Sequence, residues 1–125
     1  PDPLDASPLT PDPRRHTAMS LDVYLDELQP VAVFDGNITH NLNKMADAAG
    51  IYKHLWRPDE IGVTKAHELI GPLREGLSRL TADPGFFGAL EPENGYGSYS
   101  GLVEFVASYL EACEAHPHAD VRVSR

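Results

Sequence analysis

The sequence is poor in cysteine and in clustered basic residues, and both shortages exclude whole classes of function. Cys113 is the single cysteine, so an internal disulfide, a thiolate zinc site and a CxxC redox motif are all excluded. Lys and Arg number 10 against 19 Asp and Glu, which gives a formal net charge of −9. Binding to a phosphate backbone depends on clustered Lys and Arg, so we expect no nucleic-acid partner.

Long apolar segments are also missing from the sequence. No stretch approaches the roughly 20 apolar residues that a membrane span requires. The first residues, PDPLDASPLTPDPRR, contain no apolar core of the kind found in signal peptides. We therefore expect no membrane partner and a cytoplasmic location, where a lone cysteine stays reduced.

Proline marks one segment with the composition of a disordered chain. Residues 1–18 hold five of the 11 prolines and few apolar side chains that could offset the entropy of ordering. We expect this segment to be a disordered tail, or a leader if Met19 is the natural start. Residues 19–125 have the length and the apolar content of a single globular domain.

Two short segments near the ends of this domain have the alternation of strands. Every second side chain is apolar in residues 21–25, and the same period recurs in residues 120–124. Two such strands can satisfy their backbone groups by pairing with each other. Residues 31–34 (VAVF) are a candidate third strand.

The first helix is predicted from an apolar stripe that runs from Ile38 to Ala49, and Gly50 is expected to end it. Asn37 or Thr39 is its expected N-cap, and residues 51–56 add a further helical turn.

A second helix should begin at Thr64, with a kink or a break at Pro72. A third follows the loop 91–101, where Ser98 or Ser100 is the cap and Tyr96 is expected to pack over the core. The whole pattern predicts an α+β fold that is mainly helical. We expect three or four helices packed on a small two- or three-stranded sheet that pairs the N- and C-terminal strands.

The densest polar cluster is DGNITHNLNK, residues 35–44. Asn37, His40, Asn41 and Lys44 follow helical spacing, so on a helix they would share one face near its start, beside Thr39. Histidine titrates near neutral pH, amides donate and accept hydrogen bonds, and a helix start adds N–H donors. The cluster predicts a binding site for an anion, a carbonyl or a peptide backbone.

The same cluster also has a purely structural explanation. Asn37 and Thr39 are ordinary helix caps, and a histidine beside asparagines often satisfies buried backbone groups. Trp56 and Arg57 are open to two interpretations as well. They are residue types that anchor interfaces, yet Trp56 can equally close the base of the core with Arg57 stacked on it.

The sequence contains no motif for a metal or a cofactor. His40, His54 and His67 lie in separate segments, and neither HxxxH nor HExxH occurs. His116 and His118 follow a helix, where histidine complements the helix dipole. The loop NGYGSYSG lacks the lysine of a phosphate-binding loop. We expect no metal and no cofactor.

Three segments resemble a group of short hypothetical proteins of actinobacteria and phages: NITHNLNKMADAAGIYKHLWRPDEIG, ENGYGSYSGLVEFVASYLEAC and ADVRVSR. The similarity covers about residues 21–125. It implies a prokaryotic, cytoplasmic setting and marks NITHN as the most distinctive segment of the group. It brings no biochemical activity with it.

The leading prediction is a small α+β binding or regulatory protein, with a polar site at the start of the first helix and a small molecule or a protein as partner. The small size and the lack of an assembled catalytic set favour binding over chemistry. The alternative is a small hydrolase or transferase in which Asp35 or Glu104 orients His40 as general base. A third possibility is an interaction domain that docks its partner on Trp56. The open edges of a small sheet also favour a homodimer.

Overall fold

A computed structural model describes residues 20–27 and 32–125. The predicted tail, residues 1–18, lies outside the described residues, as does Val31 of the candidate third strand. The described chain forms five helices and a three-stranded antiparallel sheet, which confirms the predicted fold class. The elements are β1 (Ser20–Asp26), β2 (Phe34–Thr39), α1 (Asn43–Ala48), α2 (Tyr52–Trp56), α3 (His67–Ala82), α4 (Pro84–Gly88), α5 (Tyr99–Ala115) and β3 (Asp120–Ser124), with 3-10 turns at His40–Leu42 and Pro58–Ile61.

The sheet has the strand order β2-β1-β3, so the N-terminal strand pairs with the C-terminal one as the alternation predicts. Val23 lies opposite Val123 on one side and Gly36 on the other. The inward side chains of β1 (Leu21, Val23, Leu25) are fully buried. Burial of this face by the helices explains why its period of two is strict.

The candidate third strand, predicted at residues 31–34, corresponds to β2, which is longer and lies later in the chain. It spans Phe34–Thr39, so it takes in residues that were expected to start the first helix. Ile38 lies in this strand opposite Leu21, and it is still buried. A strand and a helix can both bury Ile38, but only the strand gives residues 34–39 backbone partners on β1.

The first helix therefore begins at Asn43, after a 3-10 turn. Thr39 caps that turn, because its side-chain oxygen accepts the N–H of Asn41 at 3.3 Å. Asn37 caps nothing, since it belongs to the strand. The predicted end of the helix is confirmed: Gly50 has a φ of 80°, and the Ile51 N–H reaches back to the Ala46 carbonyl at 3.0 Å.

Helix α3 begins at His67, two residues beyond the position that a cap at Thr64 would give. The Thr64 and Lys65 N–H groups both donate to the Glu68 carboxylate at 2.8 Å, so Glu68 satisfies the donors ahead of the helix. The Thr64 carbonyl accepts from the Val121 N–H at 2.9 Å. That bond and the bridge between Lys65 and Asp120 keep residues 64 and 65 paired with β3, which local sequence patterns do not show.

Pro72 does not break α3, which runs without interruption to Ala82. Leu69, Leu73 and Leu80 are fully buried along its inner face. This packing holds the helix together where Pro72 removes one backbone hydrogen bond.

Helix α5 packs against α3 and against β2, so the core lies between the two longest helices and the sheet. Ser98 caps α5 by accepting the Gly101 N–H at 3.0 Å, as predicted. Its fully buried side chains are Leu102, Val106, Tyr109 and Cys113. Within residues 20–27 and 32–125, no helix combines the length and the apolar character needed to cross a bilayer.

Two glycines of α3 test this packing, one buried and one exposed. A Cβ on the buried Gly76 would lie 2.5 Å from Ile51 Cγ2, so Gly76→Ala should lower the free energy of unfolding by about 1–3 kcal/mol through overpacking. A Cβ on Gly71 would meet nothing within 4 Å apart from its chain neighbours, but the Pro72 ring that follows offsets the gain in helix propensity, so Gly71→Ala should change it by less than about 1 kcal/mol. Urea unfolding measures both, and a stabilising Gly76→Ala would contradict the contact with Ile51.

Candidate functional site

The polar cluster of the sequence divides between two places in the fold. Thr39, His40, Asn41 and Lys44 line concave surface at the junction of β2 and α1. Asn37 lies instead on the exposed face of the sheet, so the predicted helical face that included it does not exist.

Asn37 serves as a cross-strand link. Its side-chain amide donates to Asp22 Oδ1 at 2.7 Å and to Ser20 Oγ at 3.1 Å on the neighbouring strand. Asp22 and Asn37 face each other in the register of β1 and β2. These bonds tie the edge strand to the centre of the sheet beside the site, but they take Asn37 out of the site itself.

The concave surface is a groove that lies along α1, and we name it the α1 groove. Its middle part has a volume of about 770 Å³ between the β2–α1 junction and residues 89–94. One end continues into a hollow of about 490 Å³, and the other into a hollow of about 360 Å³. The side chains of interest along it are Tyr96, Asn94, Asn41, Glu93, His40, Asn43, Lys44, Asp47 and Tyr52.

His40 occupies the middle of the groove, and a buried tryptophan determines its chemical state. Trp56 Nε1 donates to His40 Nδ1 at 2.6 Å. An indole N–H can only donate, so Nδ1 must be unprotonated and the proton of the neutral ring lies on Nε2. Partial burial lowers the pKa of His40, while the Asp22 carboxylate acts in the opposite direction. At pH 7 the ring is therefore neutral and offers an N–H donor.

Trp56 is a packing residue rather than an exposed recognition element. Its side chain is 3 % exposed and stacks on Tyr52 with 5.6 Å between the ring centroids. Arg57 does not line the α1 groove. It donates to the Tyr52 hydroxyl at 3.2 Å and to Glu60 Oε2 at 2.9 Å. Both residues hold the histidine and the tyrosine of the groove in position.

This arrangement does not suit general-base catalysis by His40. A general base needs a ring nitrogen with a free lone pair directed at its substrate. In neutral His40, Nδ1 is occupied by Trp56 and Nε2 carries the proton. Asp35 and Glu104 are both exposed, and within the described residues neither bonds to His40. The ring is set up to donate a hydrogen bond.

The far wall of the groove is a loop that the sequence pattern did not connect with the site. The Glu91 carboxylate accepts the Tyr99 N–H at 2.7 Å, and Asn94 Oδ1 accepts the Tyr96 N–H at 2.9 Å. Gly97 has a φ of 115°, and a Cβ there would lie 2.9 Å from Thr39 Cγ2. The two hydrogen bonds fix the conformation of the loop, and the close approach of Gly97 to Thr39 places it against the β2–α1 junction.

Tyr96 differs from the sequence expectation, because it is 70 % exposed instead of packed over the core. Asn43, Glu93 and Asn94 also line the groove without having been predicted. Neither periodicity nor motif marks them, since residues 43 and 93 meet only through tertiary structure. The Asn94-Gly95 turn was visible in the sequence, but not the surface that it faces.

Several polar groups of the groove have no partner in the part of the chain that the structure describes. They are the side chains of Asn41, Asn43, Lys44 and Glu93, together with His40 Nε2. His40, Asn41 and Asn43 are half-buried. No group of three or more His, Cys, Asp and Glu residues that could hold a metal ion occurs among residues 20–27 and 32–125.

The state of His40 can be measured by NMR. Its pKa should lie below the ordinary value of 6.5, and the ¹⁵N shifts should place the proton on Nε2. At a pH between the lower pKa of His40 in the folded chain and its ordinary pKa in the unfolded chain, the unfolded chain binds more protons than the folded chain. The contribution of neutral His40 to the free energy of unfolding is therefore complete above the pKa of the unfolded chain, and it is lost as the pH falls through the pKa of the folded chain.

Trp56→Phe keeps an aromatic ring but removes the N–H donor, so the pKa of His40 should rise towards its ordinary value. Tyr52→Phe is the matched control, because it keeps the stacking and leaves the indole donor in place. A wild-type pKa above 6.5, or a proton on Nδ1, would rule out the proposed pairing.

Known proteins offer no further guide to this site. No family model, no curated protein and no solved structure matches the chain. The resemblance to actinobacterial and phage proteins stays a prediction, and the functional argument rests on the residues of the α1 groove.

Proposed function

We propose that this chain is a small binding protein and that its ligand lies in the α1 groove. The observation that carries the proposal is a row of half-buried polar groups that have no hydrogen-bond partner among residues 20–27 and 32–125: His40 Nε2 and the side-chain amides of Asn41 and Asn43. These groups still reach the solvent in the groove, so a ligand that meets them replaces water, and each such hydrogen bond contributes roughly 0.5–1.5 kcal/mol. A ligand that bonds to these groups makes hydrogen bonds that the described part of the chain does not make by itself.

Polar residues elsewhere on the surface provide the contrast. Lys65 pairs with Asp120 at 2.6 Å, and Arg122 pairs with Asp26 at 2.8 Å. Lys44, by comparison, lies in the groove without a carboxylate partner in the described part of the chain. Its ammonium group and the His40 N–H together favour a ligand that carries a carbonyl or an anionic group.

The chemistry of the groove supports binding rather than catalysis. His40 donates a hydrogen bond in its neutral state, and asparagine side chains orient ligands without transferring protons at neutral pH. A small molecule and a segment of a protein are both compatible with this set of groups. The net charge of −9 disfavours a nucleic-acid ligand.

We propose a cytoplasmic location in a prokaryotic cell. Support comes from the resemblance of the NITHN segment and from the single cysteine. Cys113 is fully buried in α5, and burial raises the pKa of its thiol to about 12. Such a thiol is inert and needs no oxidising compartment for its structural role.

The proposal predicts ligand-induced shifts at the groove in ¹H–¹⁵N spectra. Amino acids, nucleotides, sugars and a peptide digest of casein form a suitable panel. The amides of Asn41, Lys44 and Asn94 should move with at least one of them. Asn41→Ala should weaken that binding about 3- to 10-fold, the equivalent of one hydrogen bond of about 0.5–1.5 kcal/mol.

Ser108→Ala, on the exposed surface of α5, is the matched control and should bind like the wild type. Binding that shifts amides outside the groove, or a panel in which neither small molecules nor peptides move any groove amide, would overturn the proposed function.

A further inference from the structure

The α1 groove is an elongated channel rather than a closed pocket. Asn43 and Lys44 line both the middle part and the hollow at the Tyr52 end. Asn41 and Asn94 line both the middle part and the hollow at the Tyr96 end. The three parts therefore adjoin one another along α1, whereas a pocket for one small molecule is typically a single cavity of about 300–1,000 Å³. This shape suits a ligand that is long and narrow.

The side chains along the channel match the hydrogen bonds of a polypeptide backbone. Asn41, Asn43 and Asn94 each carry an amide, which is the same chemical group as the peptide unit and can both donate to it and accept from it. Asn94 already uses its oxygen for the Tyr96 N–H, so its NH₂ group remains for a ligand carbonyl. Asn41 and Asn43 keep both halves of the amide, since neither side chain is bonded in the described chain.

Tyrosines lie at the two ends of this row of amides. Tyr52 lines one end hollow and Tyr96 the other, and Tyr96 is 70 % exposed. Tyrosine, asparagine and glycine are the residue types that antibody loops use to bind protein surfaces. Tyrosine offers a large rigid contact area, while asparagine offers adaptable hydrogen bonds.

The charges of the channel indicate the kind of segment that would fit. Lys44 is its one cation among the described lining residues, while Asp47, Glu91 and Glu93 are carboxylates. Glu91 is held by the Tyr99 N–H, but Glu93 has no partner within residues 20–27 and 32–125. The net charge of −9 adds a field that attracts cationic partners.

We propose that the α1 groove binds an extended segment of a partner protein, with its main chain on the three asparagine amides and a Lys or Arg side chain at Glu93. The proposal rests on the proposed function, because it uses the same groove. It adds that the ligand is a polypeptide segment and that it carries a positive charge. It also adds the path of the segment, which runs past Tyr52, Lys44, Asn41 and Tyr96.

A phage-displayed library of random twelve-residue peptides tests this proposal. The library is selected on the full chain, and the recovered peptides are synthesised for titration by calorimetry and NMR. Recovered sequences should share a Lys or Arg, and the amides of residues 41–44 and 94–97 should shift. Asn41→Ala with Asn94→Ala should weaken binding more than 10-fold, while Ser108→Ala leaves it unchanged.

Charge reversal tests the cationic contact separately. Glu93→Lys should weaken the selected peptides at least 10-fold, and Glu111→Lys, an exposed change on α5, should have less effect because it alters the net charge alone. Circular dichroism confirms that each variant is folded. Equal losses in both charge variants would overturn the assignment of the basic side chain to Glu93.

The possible outcomes separate this inference from the proposed function. Small molecules that shift the groove amides, together with no convergent peptides, would overturn the polypeptide ligand and leave the binding function standing. Selected peptides that bind the double asparagine variant as tightly as the wild type would also overturn it. If neither small molecules nor peptides shift the groove amides, both proposals fail.

Discussion

The pairing of β1 with both of its neighbours is the interaction on which the rest of the structure depends. β1 is the central strand, so its hydrogen bonds join the β2 edge to the end of the chain at β3. Its fully buried face of Leu21, Val23 and Leu25 is the floor on which the helices pack. Because β2 must stay extended to pair with β1, the chain cannot turn into a helix before Thr39. The position of the site follows from that constraint.

Once the strand ends at Thr39, two contacts shape the groove. Trp56, buried beneath it, donates to His40 and makes that ring a donor towards the groove. Gly97 approaches Thr39 so closely that no side chain fits between them, which brings the loop 89–97 up as the second wall. The first contact sets the chemistry of the site and the second sets its width. Both contacts also belong to the packing that stabilises the fold.

The fold was largely predictable because its signals are local. The alternation in residues 20–26, the Gly50 stop and the Ser98 cap each follow from a few neighbouring side chains. Errors came where distant partners decided the outcome. Ile38 fits a helical stripe and a strand equally well, and hydrogen bonding to the backbone of β1 places it in the strand. Thr64 looks like a cap, but residues 64 and 65 pair with β3, so the helix begins only at His67.

The sequence by itself determined the class of this protein: an acidic, mainly helical α+β fold with a single cysteine and a polar segment around His40. Tertiary structure alone decided which polar residues act together. It places Asn37 on the sheet and buries Trp56 next to His40. It also positions Glu93, Asn94 and Tyr96, from a loop distant in sequence, on the opposite wall of the groove. The physical reason is the distance along the chain over which the two kinds of interaction act. Periodicity and capping reflect neighbours within a few residues, whereas a groove has two walls that come from distant parts of the chain.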